Sequence, residues 1–227
     1  NPARWSIEDA HFPAVDATNL HGWYLPHDEP LAHVLFLHGN AGNVTDRINA
    51  LHALHDVGVS ILILDYRGYG KSEGTPDEQG VLLDGRAARR WLAGNAGISE
   101  GDVVVLGRSL GGGVAVDLTT DVPPRALVLE NTFTSMPDVA AVHYPLLPVQ
   151  QLMSTRLDSL SKIRGYDGPL LQVHGTADEV IPFSLGKQLF AAASGEKKQF
   201  IEVPGGTHNV LPPQSYYLRL KAFLEAL

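Results

Sequence analysis

Three side chains far apart in the chain could together perform acyl transfer: Ser109 in Gly107-Arg108-Ser109-Leu110-Gly111, Asp178 in HGTADEVIP, and His208 in GGTHN. A serine hydroxyl is a weak nucleophile at neutral pH and needs a base within hydrogen-bond reach, which in turn needs an orienting acid. Histidine and aspartate supply those roles. With 23 glycines in 227 residues, a G-x-S-x-G match alone carries little weight. Its surroundings make it specific. VVVLGRSLGGGVAVDL runs as a β-branched strand, halts at a glycine, presents one serine and resumes as a glycine-rich helix. Such a handover demands a sharp turn, with Gly107 and Gly111 where side chains would otherwise collide. The acid and the base then follow in the order Ser, Asp, His at later strand ends, as a nucleophile-elbow architecture requires.

An oxyanion formed at the attacked carbonyl needs preorganised donors. The N–H of Leu110, first in the helix after the serine, is one expected donor. The second is expected from HGNAGN, after the first parallel strand, with Asn40 preferred and Ala41 next; the alternative is a plain strand-ending turn. Phe133, Tyr144, Leu147 and Val180 are candidates to line an acyl pocket, set against ordinary packing. Glu130 is a fallback acid, and His38 and His174, each preceding a glycine at a strand end, are rival bases. His208 is preferred because it follows the acid on the last strand's loop.

The elements that must position these groups alternate short apolar runs with amphipathic ones, the pattern of parallel βα units. Strands are expected within 32–39, 60–68, 102–109, 125–132, 168–175 and 198–205, and their near-continuous apolar character fits a sheet covered on both faces. Helices are expected within 45–57, 76–94, 110–120, 184–193 and 213–227, with Thr45, Thr75 and Ser184 as amino-terminal caps. Trp5–Trp23 suggests an antiparallel hairpin at one edge. The result is an α/β fold, a three-layer αβα sandwich of one domain, interrupted at about 133–165 by an apolar, proline-punctuated connection that reads as a small cap or a packed insertion.

Composition narrows the partners. There is no cysteine, hence no thiol nucleophile and no cysteine metal site. No run approaches the roughly 18 apolar residues of a membrane span. The formal charge is -8, with 17 Lys and Arg against 25 Asp and Glu and no basic cluster, which disfavours nucleic acid. The amino end lacks signal-peptide regions; a cytoplasmic location is favoured, and a start truncated from a membrane-anchored precursor stays open. Gly70-Lys71-Ser72 imitates the end of a phosphate loop, but that motif requires glycine where Asp65 stands. His52, His55 and Asp56 have metal-ligand spacing without an evident further ligand, so no metal and no cofactor is expected.

The blocks LFLHGNAGN, LDYRGYGKSEG, GRSLGGGVA, LENTFTS, HGTADEVIP and THN, in this order, resemble the α/β-hydrolase fold family, and within it a compact subgroup of serine-aminopeptidase-like hydrolases and protein depalmitoylases. The resemblance runs from about Leu20 to the end. It implies a sheet of about eight strands, mostly parallel with the second antiparallel, and a Ser109–His208–Asp178 triad. The function expected is a cofactor-free serine hydrolase acting on small-molecule acyl esters or thioesters. An aminopeptidase-like amide hydrolase is the alternative, and a binding module without turnover is the alternative of another class.

Overall fold

A strand buried on both faces must offer apolar side chains at odd and even positions alike, and the central strands do so. In the computed structural model, which describes residues 6–227, β1 (Glu8–Pro13), β2 (Asn19–Leu25), β3 (His33–Leu37), β4 (Ser60–Asp65), β5 (Val104–Arg108), β6 (Ala126–Glu130), β7 (Leu170–Gly175) and β8 (Lys198–Val203) form one sheet. The spatial order is β1-β2-β4-β3-β5-β6-β7-β8. Only β2 runs against its neighbours, pairing antiparallel with both β1 and β4. The other pairings are parallel. The expected hairpin thus exists as β1 and β2, with β2 extending to Leu25; Trp5 lies outside the described residues.

The two faces pack against different helices. Val34, Phe36, Ile61, Ile63, Val104 and Leu106 meet α1 (Ile48–His55) and α8 (Gln214–Glu225) through Leu51, Leu54, Leu220 and Phe223. The alternate residues Leu35, Leu37, Leu62, Leu64, Val105 and Leu127 meet α2 (Glu78–Ala96) and α3 (Leu110–Leu118) through Leu82, Ala88, Val114 and Leu118. The 133–165 connection folds into α4 (Met136–His143), α5 (Val149–Leu152) and α6 (Ser159–Ile163), and α7 (Phe183–Ala192) follows β7. The connection is anchored to the start of α2, where the Glu78 carboxylate accepts the Arg156 and Leu157 N–H groups at 2.6 and 3.0 Å. Among the described residues no helix is long and apolar enough to cross a membrane.

The cap expectations need correction. Asn43, not Thr45, caps a 3₁₀ turn over Val44–Arg47 that precedes α1, accepting the Thr45 N–H at 2.9 Å. Asp77, not Thr75, caps α2 by accepting the Gly80 N–H at 2.9 Å. α7 begins after Pro182, which leaves Ser184 inside the first turn. In each case several acceptors or turn residues fall within one turn, and the path of the incoming loop decides which reaches the free N–H groups.

Gly111 lies at the first turn of α3, where a Cβ would overlap the Leu37 carbonyl of β3; Gly94, late in α2, faces open space. Gly111→Ala is therefore expected to destabilise by about 1–3 kcal/mol or more, through overpacking against backbone. Gly94→Ala should stabilise by about 0.5–1 kcal/mol, because alanine loses less backbone entropy in a helix. Urea unfolding midpoints of the two variants should move in opposite directions.

Candidate active site

Parallel strands place their carboxyl ends, and the loops that follow, along one rim. Ser109 sits there, between β5 and α3, in a left-handed backbone conformation with φ 55° and ψ −121°. Two glycines allow it: a Cβ on Gly107 would come within 2.6 Å of Ala115 Cβ, and Gly111 packs on β3 as described. The turn is further tied by the Ser109 N–H donating to the Glu130 carbonyl at 2.9 Å. The Thr132 hydroxyl donates to the Ser109 carbonyl at 2.8 Å.

His208 and Asp178 meet this serine. The Ser109 hydroxyl lies 3.0 Å from His208 Nε2, and His208 Nδ1 lies 2.8 Å from Asp178 Oδ2. A carboxylate only accepts, so Nδ1 carries the proton and Nε2 is left to accept from Ser109. Asp178 is fixed by its own loop, its Oδ1 accepting the N–H groups of Val180 and Ile181 at 2.9 and 2.7 Å. His174 adds to this environment: its Nε2 is 2.9 Å from the Ile181 carbonyl and 3.4 Å from Asp178 Oδ2. Burial pushes the Asp178 carboxyl up, but hydrogen bonding from His174, His208 and the Ile181 N–H outweighs it and holds the group well below the usual carboxylate range.

The rival groups are engaged elsewhere. His38 is fully buried, with Nδ1 donating to the Gly39 carbonyl at 2.6 Å and its ring against Tyr66 and Tyr69. Burial, before all else, lowers its pKa. Glu130 is buried too, its carboxylate accepting from the Tyr216 hydroxyl at 2.6 Å and lying 3.7 Å from Arg108. Burial pushes this carboxyl up, against the opposing pull of Arg108 and Tyr216. His55 Nε2 donates to the Pro26 carbonyl at 3.2 Å, and no group of three or more His, Asp or Glu side chains among the described residues is arranged to hold a metal ion.

The loop after β3 approaches Ser109 closely enough that a Cβ on Gly39 would be 3.2 Å from Ser109 Cβ. Asn40 stands in it, its side-chain oxygen accepting from the Tyr69 hydroxyl at 2.7 Å. Leu110 opens α3, where first-turn N–H groups lack intrahelical partners. A cleft of about 450 Å³ opens above, lined by Asn40, Ala41, Arg47, Arg108, Ser109 and His208 among others. Val180 belongs to its wall. The remaining pocket candidates do not: Phe133 is buried in the core at 1% exposure, while Tyr144 and Leu147 are 59% and 55% exposed on the insertion. An apolar residue following a rim strand carries no sequence mark of whether it turns to the cleft or inward.

Sequence reasoning missed the groups that hold the His208 loop. Arg108 Nη2 donates to the carbonyls of His208 and Val210 at 2.9 and 3.3 Å, and Asn131 Nδ2 donates to the His208 carbonyl at 3.2 Å. Asn131 also accepts the Gly175 N–H at 3.0 Å from a left-handed backbone with φ 44°. The one available signal was an asparagine at a strand end, a residue type tolerant of that region.

An eight-stranded, largely parallel sheet with helices on both faces and a serine at a strained strand-to-helix turn defines an α/β hydrolase. Residues 28–164 match the family model described as Serine aminopeptidase, S33, and the chain belongs to that hydrolase family. An uncharacterized protein of Mycobacterium tuberculosis is 42% identical over 196 residues, 86% of this chain and 69% of the relative. The α/β hydrolase domain-containing protein WAV2 of Arabidopsis thaliana is 34% identical over 232 residues, 91% of this chain and 74% of the relative. Among solved structures, the esterase Pf2001 of Pyrococcus furiosus superposes with a TM-score of 0.81 at 18% identity, covering 98% of this chain and 93% of that one, a likeness of fold.

The depressed Asp178 pKa has a consequence for stability. Because the folded carboxyl is more acidic than the unfolded one, its ionised form stabilises the fold fully above about pH 4. That contribution is lost as pH falls below this value towards the native pKa. Between about pH 5 and pH 3, unfolding free energies from urea titration should therefore fall less steeply for Asp178→Asn than for the parent protein.

Proposed function

We propose that the protein is a serine hydrolase that cleaves carboxylic esters or thioesters through an acyl-enzyme intermediate. One observation carries this reading: an unbroken relay from the Ser109 hydroxyl through His208 to Asp178, at 3.0 and 2.8 Å, on the rim of a cleft. Ser109 Oγ attacks the acyl carbonyl as its proton passes to His208 Nε2, while Asp178 accepts from Nδ1–H and stabilises the imidazolium. The N–H groups of Asn40 and Leu110 hold the oxyanion. Collapse of the tetrahedral adduct expels the alcohol or thiol, which takes the proton from His208. Water, giving a proton to His208, then attacks the acyl-serine, and the carboxylic acid leaves as Ser109 is regenerated. We read the 133–165 insertion as a small cap beside this cleft, linked to its wall where His143 Nε2 donates to the Val180 carbonyl at 2.8 Å.

Hydrolysis of aminoacyl amides needs an anionic group for the substrate's ammonium. The ionic side chains on the cleft wall are Arg47, Arg108 and Asp46, and the Asp46 carboxylate is turned to the Asn43 N–H at 2.9 Å. Glu130 is buried against Tyr216 and Arg108, and Glu179 accepts the His208 N–H at 3.2 Å. This arrangement favours esters over aminopeptidase substrates. The intact relay disfavours a binding module, which has no use for a proton pathway.

A fluorophosphonate should label the native protein at Ser109, and Ser109→Ala should abolish both labelling and ester turnover, lowering kcat by several orders of magnitude. Labelled peptide mapping and p-nitrophenyl esters of graded acyl length, run beside aminoacyl anilides, supply the measurements. Native protein that resists labelling, or anilides cleaved faster than the esters, would overturn the assignment.

A further inference from the structure

In a chain of formal charge -8, the wall of the cleft beside Ser109 carries two guanidinium groups, Arg47 and Arg108. They differ in what balances them. Arg108 has the Glu130 carboxylate 3.7 Å away and two carbonyl acceptors in the His208 loop. Arg47 forms no ion pair with a carboxylate among the described residues; its Nη2 donates to the Ala41 carbonyl, and its Nε is buried without a partner. The adjacent carboxylate, Asp46, accepts the Asn43 N–H instead. Burial, followed by the like charge of Arg108, disfavours the charged form of Arg47 and outweighs the opposing pull of the nearby Asp46 carboxylate. Arginine stays ionised in proteins regardless, so the fold holds a half-buried cation, its Nε without a partner, beside a second cation. An anion entering the cleft would relieve both costs, and the planar guanidinium offers the paired N–H donors that match carboxylate or phosphate oxygens.

Resting on the serine-hydrolase reading, we propose that the preferred substrate carries an anionic group and that Arg47, supported by the field of Arg108, is the residue that selects it. A plain hydrocarbon chain laid along this wall would bury the Arg47 cation further and return nothing for it. The anion can sit on the acyl part or on the alcohol part of the ester, and matched pairs distinguish the two. The first pair is mono-4-nitrophenyl adipate against its methyl ester. The second is 4-carboxyphenyl butyrate against its methyl ester. At low ionic strength, the anionic member of one pair is expected to show kcat/KM at least about tenfold above its neutral partner, the scale of one charge-assisted hydrogen bond. The difference should lie mainly in KM.

Arg47→Gln should reduce that ratio about tenfold, and Arg47→Lys, which keeps the charge without the fork, should restore part of it. No anion preference in either pair would overturn the proposal. So would an equal loss on anionic and neutral esters in Arg47→Gln, the behaviour of a side chain that only braces the Ala41 loop. If no ester turns over, the hydrolase reading falls, and calorimetry decides the subsite separately on Ser109→Ala protein titrated with monomethyl adipate. Binding weakened about tenfold by Arg47→Gln supports it; absent or unchanged binding overturns it.

Discussion

The backbone at Ser109 bends into a conformation that an L-residue adopts only at a cost of about 1–3 kcal/mol, and the rest of the site is arranged around keeping it there. The turn lifts the hydroxyl off the sheet to within 3.0 Å of the His208 imidazole, which comes from another loop. Two glycines permit it. A side chain at Gly107 would strike α3, and one at Gly111 would strike β3, so the strand, the turn and the helix can be this close only because both positions lack a Cβ. Thr132 and the Glu130 carbonyl hold the bent segment from the neighbouring strand end, which spreads the strain over β5 and β6.

The same economy joins the other two groups. The loop after β7 folds so that one Asp178 oxygen accepts two backbone N–H groups while the other faces His208, so the carboxylate is held by its own loop as well as by the imidazole. The His208 loop is held through its own backbone carbonyl, which accepts from both Arg108 and Asn131. Arg108 precedes Ser109 in the chain, so the residue beside the hydroxyl grips the segment that bears His208. Four strand ends, β5 to β8, are thereby coupled at one point, and small errors in any of them would reach the hydroxyl-to-imidazole distance.

Charge is distributed unevenly in this molecule. The surface is acidic overall, while the cleft wall near the serine carries guanidinium groups, with carboxylates either buried behind them, as Glu130 is, or turned to backbone donors, as Asp46 is. A partly enclosed wall of one sign acts on a ligand more strongly than the same charges spread over open surface, because low-dielectric surroundings screen them less.

Much of the architecture was legible in the sequence because it depends on local pattern. Apolar runs of strand length ending in glycine, and the glycines around the serine, follow from backbone sterics and burial, which act residue by residue. The eight-stranded sheet with one antiparallel strand followed from block resemblance and was realised as β1 to β8. Helix caps were less legible, since Asn43 and Asp77 took the role from neighbouring threonines by the course of each loop. Orientation was not legible at all. Phe133 turned into the core and Tyr144 and Leu147 outward, while Val180 joined the cleft, although all four are apolar residues in rim connections. The partners of Arg47, Arg108 and Asn131 likewise emerged only when loops distant in sequence came together, because a hydrogen bond or an unbalanced charge is a property of three-dimensional neighbours.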